Sequence, residues 1–180
     1  MYRDALFRLS SPRTSMSCTR SVTIAAALFW LATAMPAPAV ADEPAGPSSI
    51  NLWQKGDPGQ PMQIRGVVMD ANGAPVAGAR IFIRQADATG EYQPDRYTGE
   101  LYSGPDGSYS FSTVLPGQYY GEKHIHLMAG HDAHGVVERR MVFKNDPNLA
   151  SPVEDAIHLE EANVGEIKVL FGRYDIRLAP

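Results

Sequence analysis

From Gln63 onward, apolar and polar residues alternate in short runs separated by turn residues. Ile64-Arg65-Gly66-Val67-Val68-Met69-Asp70 is rich in β-branched side chains and lacks helical spacing, so it reads as a strand. Ala71-Asn72-Gly73-Ala74-Pro75 is a turn, with Asn-Gly supplying the positive φ. Ala79 to Arg84 alternates again, with Ile81 and Ile83 on one face and Phe82 on the other. Pro105-Asp106-Gly107 separates short strands around Leu101 and around Tyr109-Ser110-Phe111, and Pro116-Gly117 turns the chain once more. Strands are then expected at His124 to Met128, Val136 to Phe143, Gly165 to Leu170 and Tyr174 to Leu178. Eight short strands with closely spaced turns predict an all-β, antiparallel sandwich over residues 63–180. Asn148 to Asn163 is irregular, with a helical turn or two expected at Glu154 to Glu161.

The first residues follow another pattern. Arg3, Arg8, Arg13 and Arg20 precede an apolar run from Ile24 to Ala34, and small residues end in Ala39-Val40-Ala41. A basic segment, a short apolar segment and an A-x-A ending read as a signal peptide over residues 1–41. The apolar run is shorter than the roughly 20 residues of a spanning helix. Residues 42–62, rich in Pro, Gly, Ser and Asp, read as a linker or arm. The expected product is exported, periplasmic or secreted, with no membrane association after cleavage.

Removing the four arginines and one aspartate of residues 1–41 takes the formal net charge from −4 to −7. An acidic domain argues against nucleic acid or an anionic membrane as partner. The one cysteine, Cys18, falls in the signal segment, so the exported domain has neither disulfides nor thiolate metal ligands.

Candidate chemistry centres on His124-Ile125-His126. On a strand, residues i and i+2 share a face, so two imidazoles can reach one metal ion while Ile125 points the opposite way. The plain alternative is a strand that happens to carry two histidines. Tyr92, Tyr97, Tyr102, Tyr109, Tyr119 and Tyr120 all precede the pair within a short stretch. Most such tyrosines are packing residues, but a trivalent metal can displace a phenol proton and make tyrosinate a hard ligand. Two tyrosinates and two neutral imidazoles suit ferric iron, whereas zinc is more naturally closed by a third histidine or a carboxylate.

The run from Gln63 to Ala86, Gly90-Glu91-Tyr92, Ser103 to Phe111, Pro116-Gly117-Gln118-Tyr119 and His124-Ile125-His126 stand in the order seen in intradiol ring-cleavage dioxygenases, and the chain resembles that family over nearly all of 63–178. The opening G-x-V-x-D-x-x-G-x-P-V-x-G-A pattern is shared by many transthyretin-like modules; P-G-x-Y followed closely by H-I-H is far more specific. The resemblance implies non-haem Fe(III) held by two tyrosines and two histidines, here Tyr119, His124 and His126 with Tyr97 as first tyrosine and Tyr102 as its alternative. Tyr92 matches a motif tyrosine taken not to be a ligand. The implied reaction cleaves catechol-type diols with O2 to muconate-type diacids.

Two departures stand out. Only Tyr120-Gly121-Glu122-Lys123 separates Tyr119 from the histidines, where the family has a longer loop, and Gly121 stands where the family carries an arginine. Arg140 is the expected substitute, entering from a neighbouring strand; the alternative is a surface arginine paired with a carboxylate. Competing functions are a non-catalytic transthyretin-like binding or structural module, and zinc or copper on the same residues. Association is open between a monomer and a homo-oligomer paired through the 42–62 arm. The exported protein is expected to begin at Asp42; intact-mass measurement checks this, and recovery of a chain retaining residues 1–41 would refute it.

Overall fold

Alternation of buried and less buried side chains along the central strands builds the domain. The computed structural model describes residues 46–93 and 95–180, so the signal reading lies outside the described residues. These residues form ten strands: β1 (Ser49–Asn51), β2 (Pro61–Met69), β3 (Arg80–Gln85), β4 (Thr98–Tyr102), β5 (Ser108–Val114), β6 (His124–His131), β7 (His134–Val142), β8 (Leu159–Val164), β9 (Ile167–Arg173) and β10 (Ile176–Arg177). One sheet runs β1-β5-β2-β9-β8 with β10 also on β2; the other runs β4-β3-β6-β7. No described residue is helical.

The two sheets form a sandwich because each contributes one apolar face. Met62, Ile64, Val68, Phe111 and Leu170 of the first sheet and Ile81, Ile83, Leu101, Ile125, Leu127 and Met141 of the second belong to one buried cluster. The second sheet is antiparallel, as expected. The first is mixed: β1 runs parallel to β5, and β9 and β10 run parallel to β2.

Three local expectations change. The segment read as an arm is partly structural: Ser49–Asn51 pairs with Ser110–Ser112, and Ile50 and Leu52 pack on the core. The loop expected from Ala129 to Gly135 shrinks to Asp132-Ala133, since β6 runs on to His131 and β7 begins at His134. The helical turn expected at Glu154 to Glu161 is absent, and β8, Leu159–Val164, instead pairs antiparallel with β9, Ile167–Arg173. All of β8 except Leu159 is exposed, so no apolar alternation marks it; pairing with β9 makes it a strand. Gly165, at φ 63, turns the hairpin. Its glutamates suit an outer strand, where charge discourages edge pairing with other chains.

Gly66 lies where backbone crosses close to backbone. The Tyr109 hydroxyl donates to the Tyr174 carbonyl at 2.7 Å, and Tyr174 N–H donates to the Arg65 carbonyl at 3.0 Å. A Cβ on Gly66 would stand 1.8 Å from the Tyr174 oxygen. Gly66→Ala is therefore expected to destabilise the domain by about 3 kcal/mol, the upper range for overpacking. Urea denaturation checks this; an unchanged midpoint would refute the close approach.

Candidate metal centre

Strand β6 presents His124 and His126 to the outer side of the second sheet, while Ile125 and Leu127 point into the core. The two rings meet edge to face with centroids 4.7 Å apart, and their Nε2 atoms are 3.1 Å apart. His124 Nδ1 lies 2.9 Å from the Glu122 carbonyl. A carbonyl can only accept, so Nδ1 carries the proton and Nε2 keeps its lone pair. Burial lowers the pKa of His124; burial, then His124 and Arg84, lower that of His126 against the opposing pull of Glu138. Both rings therefore favour the neutral form that binds metals.

Two loops carry tyrosines to this pair. Tyr92 and Tyr119 pack edge to face with ring centroids 4.5 Å apart, and the Tyr119 ring is 6.4 Å from that of His124. Burial raises the Tyr92 pKa, with Arg84 opposing, so without a metal the phenol is protonated. The short segment after Tyr119 is compatible with this placement. Tyr120 and Gly121 both take positive φ, 51° and 120°, which reverses the chain and closes a bridge between Gln118 and Lys123. The buried Asp146 carboxylate accepts from the Lys123 N–H and so holds the start of β6.

Asp87 holds both tyrosine loops, and sequence reasoning missed it. One carboxylate oxygen accepts from the Thr89 N–H at 2.8 Å, the Thr89 hydroxyl at 2.7 Å and the Glu91 N–H at 3.1 Å. The other accepts from the Gln93 amide at 2.7 Å. The Asp87 carbonyl accepts from Gly117 N–H at 2.7 Å, in the turn that leads to Tyr119. The loops approach backbone to backbone: a Cβ on Gly90 would stand 2.1 Å from the Gln118 oxygen, and one on Gly117 2.3 Å from the Gly90 nitrogen. The glycines of G-x-Y and P-G-x-Y are thus packing requirements of the Tyr92–Tyr119 contact.

Tyr97 is placed differently. It is buried beside the Asp57 carboxylate, with Arg96 Cζ 4.9 Å from its ring centroid. Burial, then Asp57, raise its pKa, as burial does for Tyr92. Tyr102 donates to Glu100 at 2.9 Å. The tyrosine brought to Tyr119 and the histidines is therefore Tyr92, not Tyr97 or Tyr102. Arg140 stands opposite His126 on β7, as a neighbouring strand was expected to place it, but its guanidinium is paired with the Glu122 carboxylate. That is the structural role weighed against catalysis above.

Phe82, Arg84, Tyr92, Tyr119, His126, Leu127, Met128 and Glu138 line a cavity of about 400 Å³, within the usual range for small-molecule sites. Among the described residues, no group of three or more His, Cys, Asp or Glu is arranged to hold a metal. A metal on His124 and His126 would need the phenols to complete its ligands.

A family model described as Dioxygenase matches residues 40–179. The chain belongs to the intradiol dioxygenase family. Hydroxyquinol 1,2-dioxygenase of Rhizobium sp. (strain MTP-10005) is 39% identical over 89 residues, covering 45% of this chain and 30% of that protein. Chlorocatechol 1,2-dioxygenase of Rhodococcus opacus is 27% identical over 132 residues, covering 58% of this chain and 51% of that protein. The chain thus spans about half the length, or less, of these curated relatives. A solved dioxygenase domain from a Streptomyces sp. SirexAA-E dioxygenase and carbohydrate-binding fusion superposes with TM-score 0.62 at 26% identity, covering 73% of this chain and 89% of that one. The catechol 1,2-dioxygenase of Acinetobacter sp. ADP1 has TM-score 0.65 at 18% identity, covering 74% of this chain and 58% of that one; at that identity it shows the shared fold alone.

The Asp87 carboxyl yields an acid prediction. Burial pushes its pKa up, but the Thr89 hydroxyl, the Glu91 N–H and the Gln93 amide outweigh burial and hold it at about 2, below the ordinary 3.8. A depressed carboxyl contributes stability that is present above its unfolded pKa and lost as pH falls through its folded one. The stability gap between wild type and Asp87→Asn should therefore be constant above about pH 5 and shrink between pH 4 and pH 2. Urea melts across that range check it, and a gap independent of pH would refute the assignment.

Proposed function

We propose that this intradiol dioxygenase family member binds non-haem Fe(III) through Tyr92, Tyr119, His124 and His126 and cleaves catechol-type diols with O2 to muconate-type diacids. The observation that carries the reading is the convergence of the two Nε2 atoms, 3.1 Å apart, beneath the packed Tyr92–Tyr119 pair. Metal–imidazole bonds of about 2.1 Å at right angles separate their nitrogens by about 3 Å, so the spacing fits adjacent positions on one ion. Neutral imidazoles and phenolates are donors that suit iron, and zinc is disfavoured because no group of three or more His, Cys, Asp or Glu converges among the described residues.

Bound ferric iron would supply Lewis acidity and a template for the diol. The protein's groups do the rest. Glu122 fixes the His124 tautomer through its carbonyl, and Arg140 restrains Glu122 through its carboxylate. Tyr119, in the P-G-x-Y turn, is the residue whose phenolate oxygen would take a proton from the incoming diol. Phe82 and Met128 give the ring an apolar surface and limit water. The A-x-A ending at Ala41 supports the reading that the chain is exported and acts outside the cytoplasm.

Anaerobic loading with iron followed by reoxidation tests the site. The wild-type protein is expected to turn red to burgundy and to consume O2 when catechol is added. Tyr92→Phe and Tyr119→Phe should each lose or strongly shift the visible band, whereas Tyr97→Phe should keep it. A colourless reconstituted protein would refute the iron site. Colour lost only in Tyr97→Phe would return the first ligand to Tyr97.

A further inference from the structure

The outer face of the first sheet carries no part of the candidate metal centre, yet its register gathers polar groups. Arg173, Arg65, Ser110 and Ser49 form one row across β9, β2, β5 and β1. Phe171, Gln63, Ser112 and Asn51 form the next row across the same strands. Ile64 and Phe111, between the rows, lie in the core, so both rows face outward. With strands about 4.8 Å apart, each row spans about 14 Å. Arg65, Arg173, Ser49, Ser108 and Ser110 border a surface cavity of about 520 Å³.

Charge on this face is sparse and uneven. Two like charges on directly opposed residues repel. Asp175 relieves one of them. One of its oxygens accepts from Arg173 Nε and Nη2, each at 3.0 Å, and the other accepts from the Val67 N–H at 3.0 Å. Among the described residues Arg65 forms no ion pair. Glu160, beside Phe171, bounds the second row. One unmatched guanidinium therefore stands among hydroxyls and amides, in a chain of formal net charge −4.

That pattern selects a class of ligand. A carboxylate matches the guanidinium fork in geometry and charge. Serine hydroxyls and the amides of Gln63 and Asn51 both donate and accept, as sugar hydroxyls do. Phe171, half-buried, offers an apolar ring to the C–H face of a sugar. Densely charged phosphate or sulfate chains would meet Asp175 and Glu160 as well as Arg65. A row of this length also exceeds what a single small anion occupies.

We infer that the outer face of β1-β5-β2-β9 is a second binding site, for an acidic polysaccharide whose sugar rings each carry one carboxylate. Arg65 binds a carboxylate, and the serine and amide side chains bind hydroxyls. The site lies on the sheet that does not bear the histidines, so it stands or falls separately from the iron site proposed above.

Affinity electrophoresis at low ionic strength tests it, with polygalacturonate, its fully methyl-esterified form or dextran sulfate in the gel. The ester keeps the hydroxyls and loses the charge; dextran sulfate raises the charge density. Polygalacturonate is expected to retard the wild type with at least tenfold higher affinity than either of the others. Arg65→Gln should weaken that binding by about tenfold, the scale of a lost charge-assisted hydrogen bond. The double variant Gln63→Ala/Ser110→Ala, which keeps every charge, should weaken it severalfold, and it tests the face independently should Arg65→Gln misfold. Lys144→Gln makes the same charge change at an exposed residue after β7 and should leave binding as it is. Absence of retardation would overturn the inference, as would equal retardation by the ester. Tighter binding to dextran sulfate, or an equal loss in Lys144→Gln, would reduce the effect to general charge attraction and overturn it too. Unchanged binding in both Arg65→Gln and the double variant would place the polysaccharide elsewhere on the protein.

Discussion

A buried carboxylate, that of Asp87, governs the candidate site. It ties down the loop from Thr89 to Gln93 through four donors, and its own carbonyl receives Gly117 from the second loop. Neither tyrosine lies on the strand that bears the histidines. Their positions depend on whether two irregular segments can be held as firmly as a sheet. Hydrogen bonds to a charged, buried acceptor are stronger than neutral ones, and leaving such an acceptor unmatched is costly. The loops thus gain a fixed anchor without needing regular structure of their own. Gly90 and Gly117 then set how near the loops can come.

The sandwich supplies the other half of the site. Ile125 and Leu127 lock β6 into the core, which fixes the direction of His124 and His126 on the opposite face. The Glu122 carbonyl sets the ring of His124, and the Asp146 carboxylate anchors the strand's first residues. A rigid strand and two clamped loops therefore meet along one side of β3-β6-β7. The same outer face presents Phe82, Arg84, Met128 and Glu138, so these cavity residues share one face of the sheet with the two histidines.

The arginines show how one residue type takes three fates from its surroundings. Arg96 is matched by Asp57 and helps bury Tyr97. Arg140 is matched by Glu122 and braces the segment before β6. Arg84 meets no carboxylate among the described residues and faces the cavity. Gly121, at φ 120°, turns the chain ahead of β6 and carries no charge of its own.

Much of this was legible in the chain itself. Period-two alternation marked most strands, since each buries one face, and H-I-H on a strand placed two imidazoles together with an apolar residue between them. P-G-x-Y identified Tyr119. Strand β8 was not legible, because a strand exposed on both faces has no apolar period and exists through its pairing with β9. The choice among Tyr92, Tyr97 and Tyr102 was also beyond sequence, as all three lie in one turn-rich stretch and differ only in what surrounds them. Tyr97 is buried beside Asp57 and Arg96, whereas the loop held by Asp87 packs Tyr92 on Tyr119. The surroundings of Arg84 and Arg140 likewise follow from cross-strand register and carboxylate partners distant in sequence. Local residue pattern determined the strands and the histidine pair, because both depend on near neighbours; the tertiary structure alone decided which tyrosine packs on Tyr119 and which arginines are paired, because those depend on contacts between segments far apart along the chain.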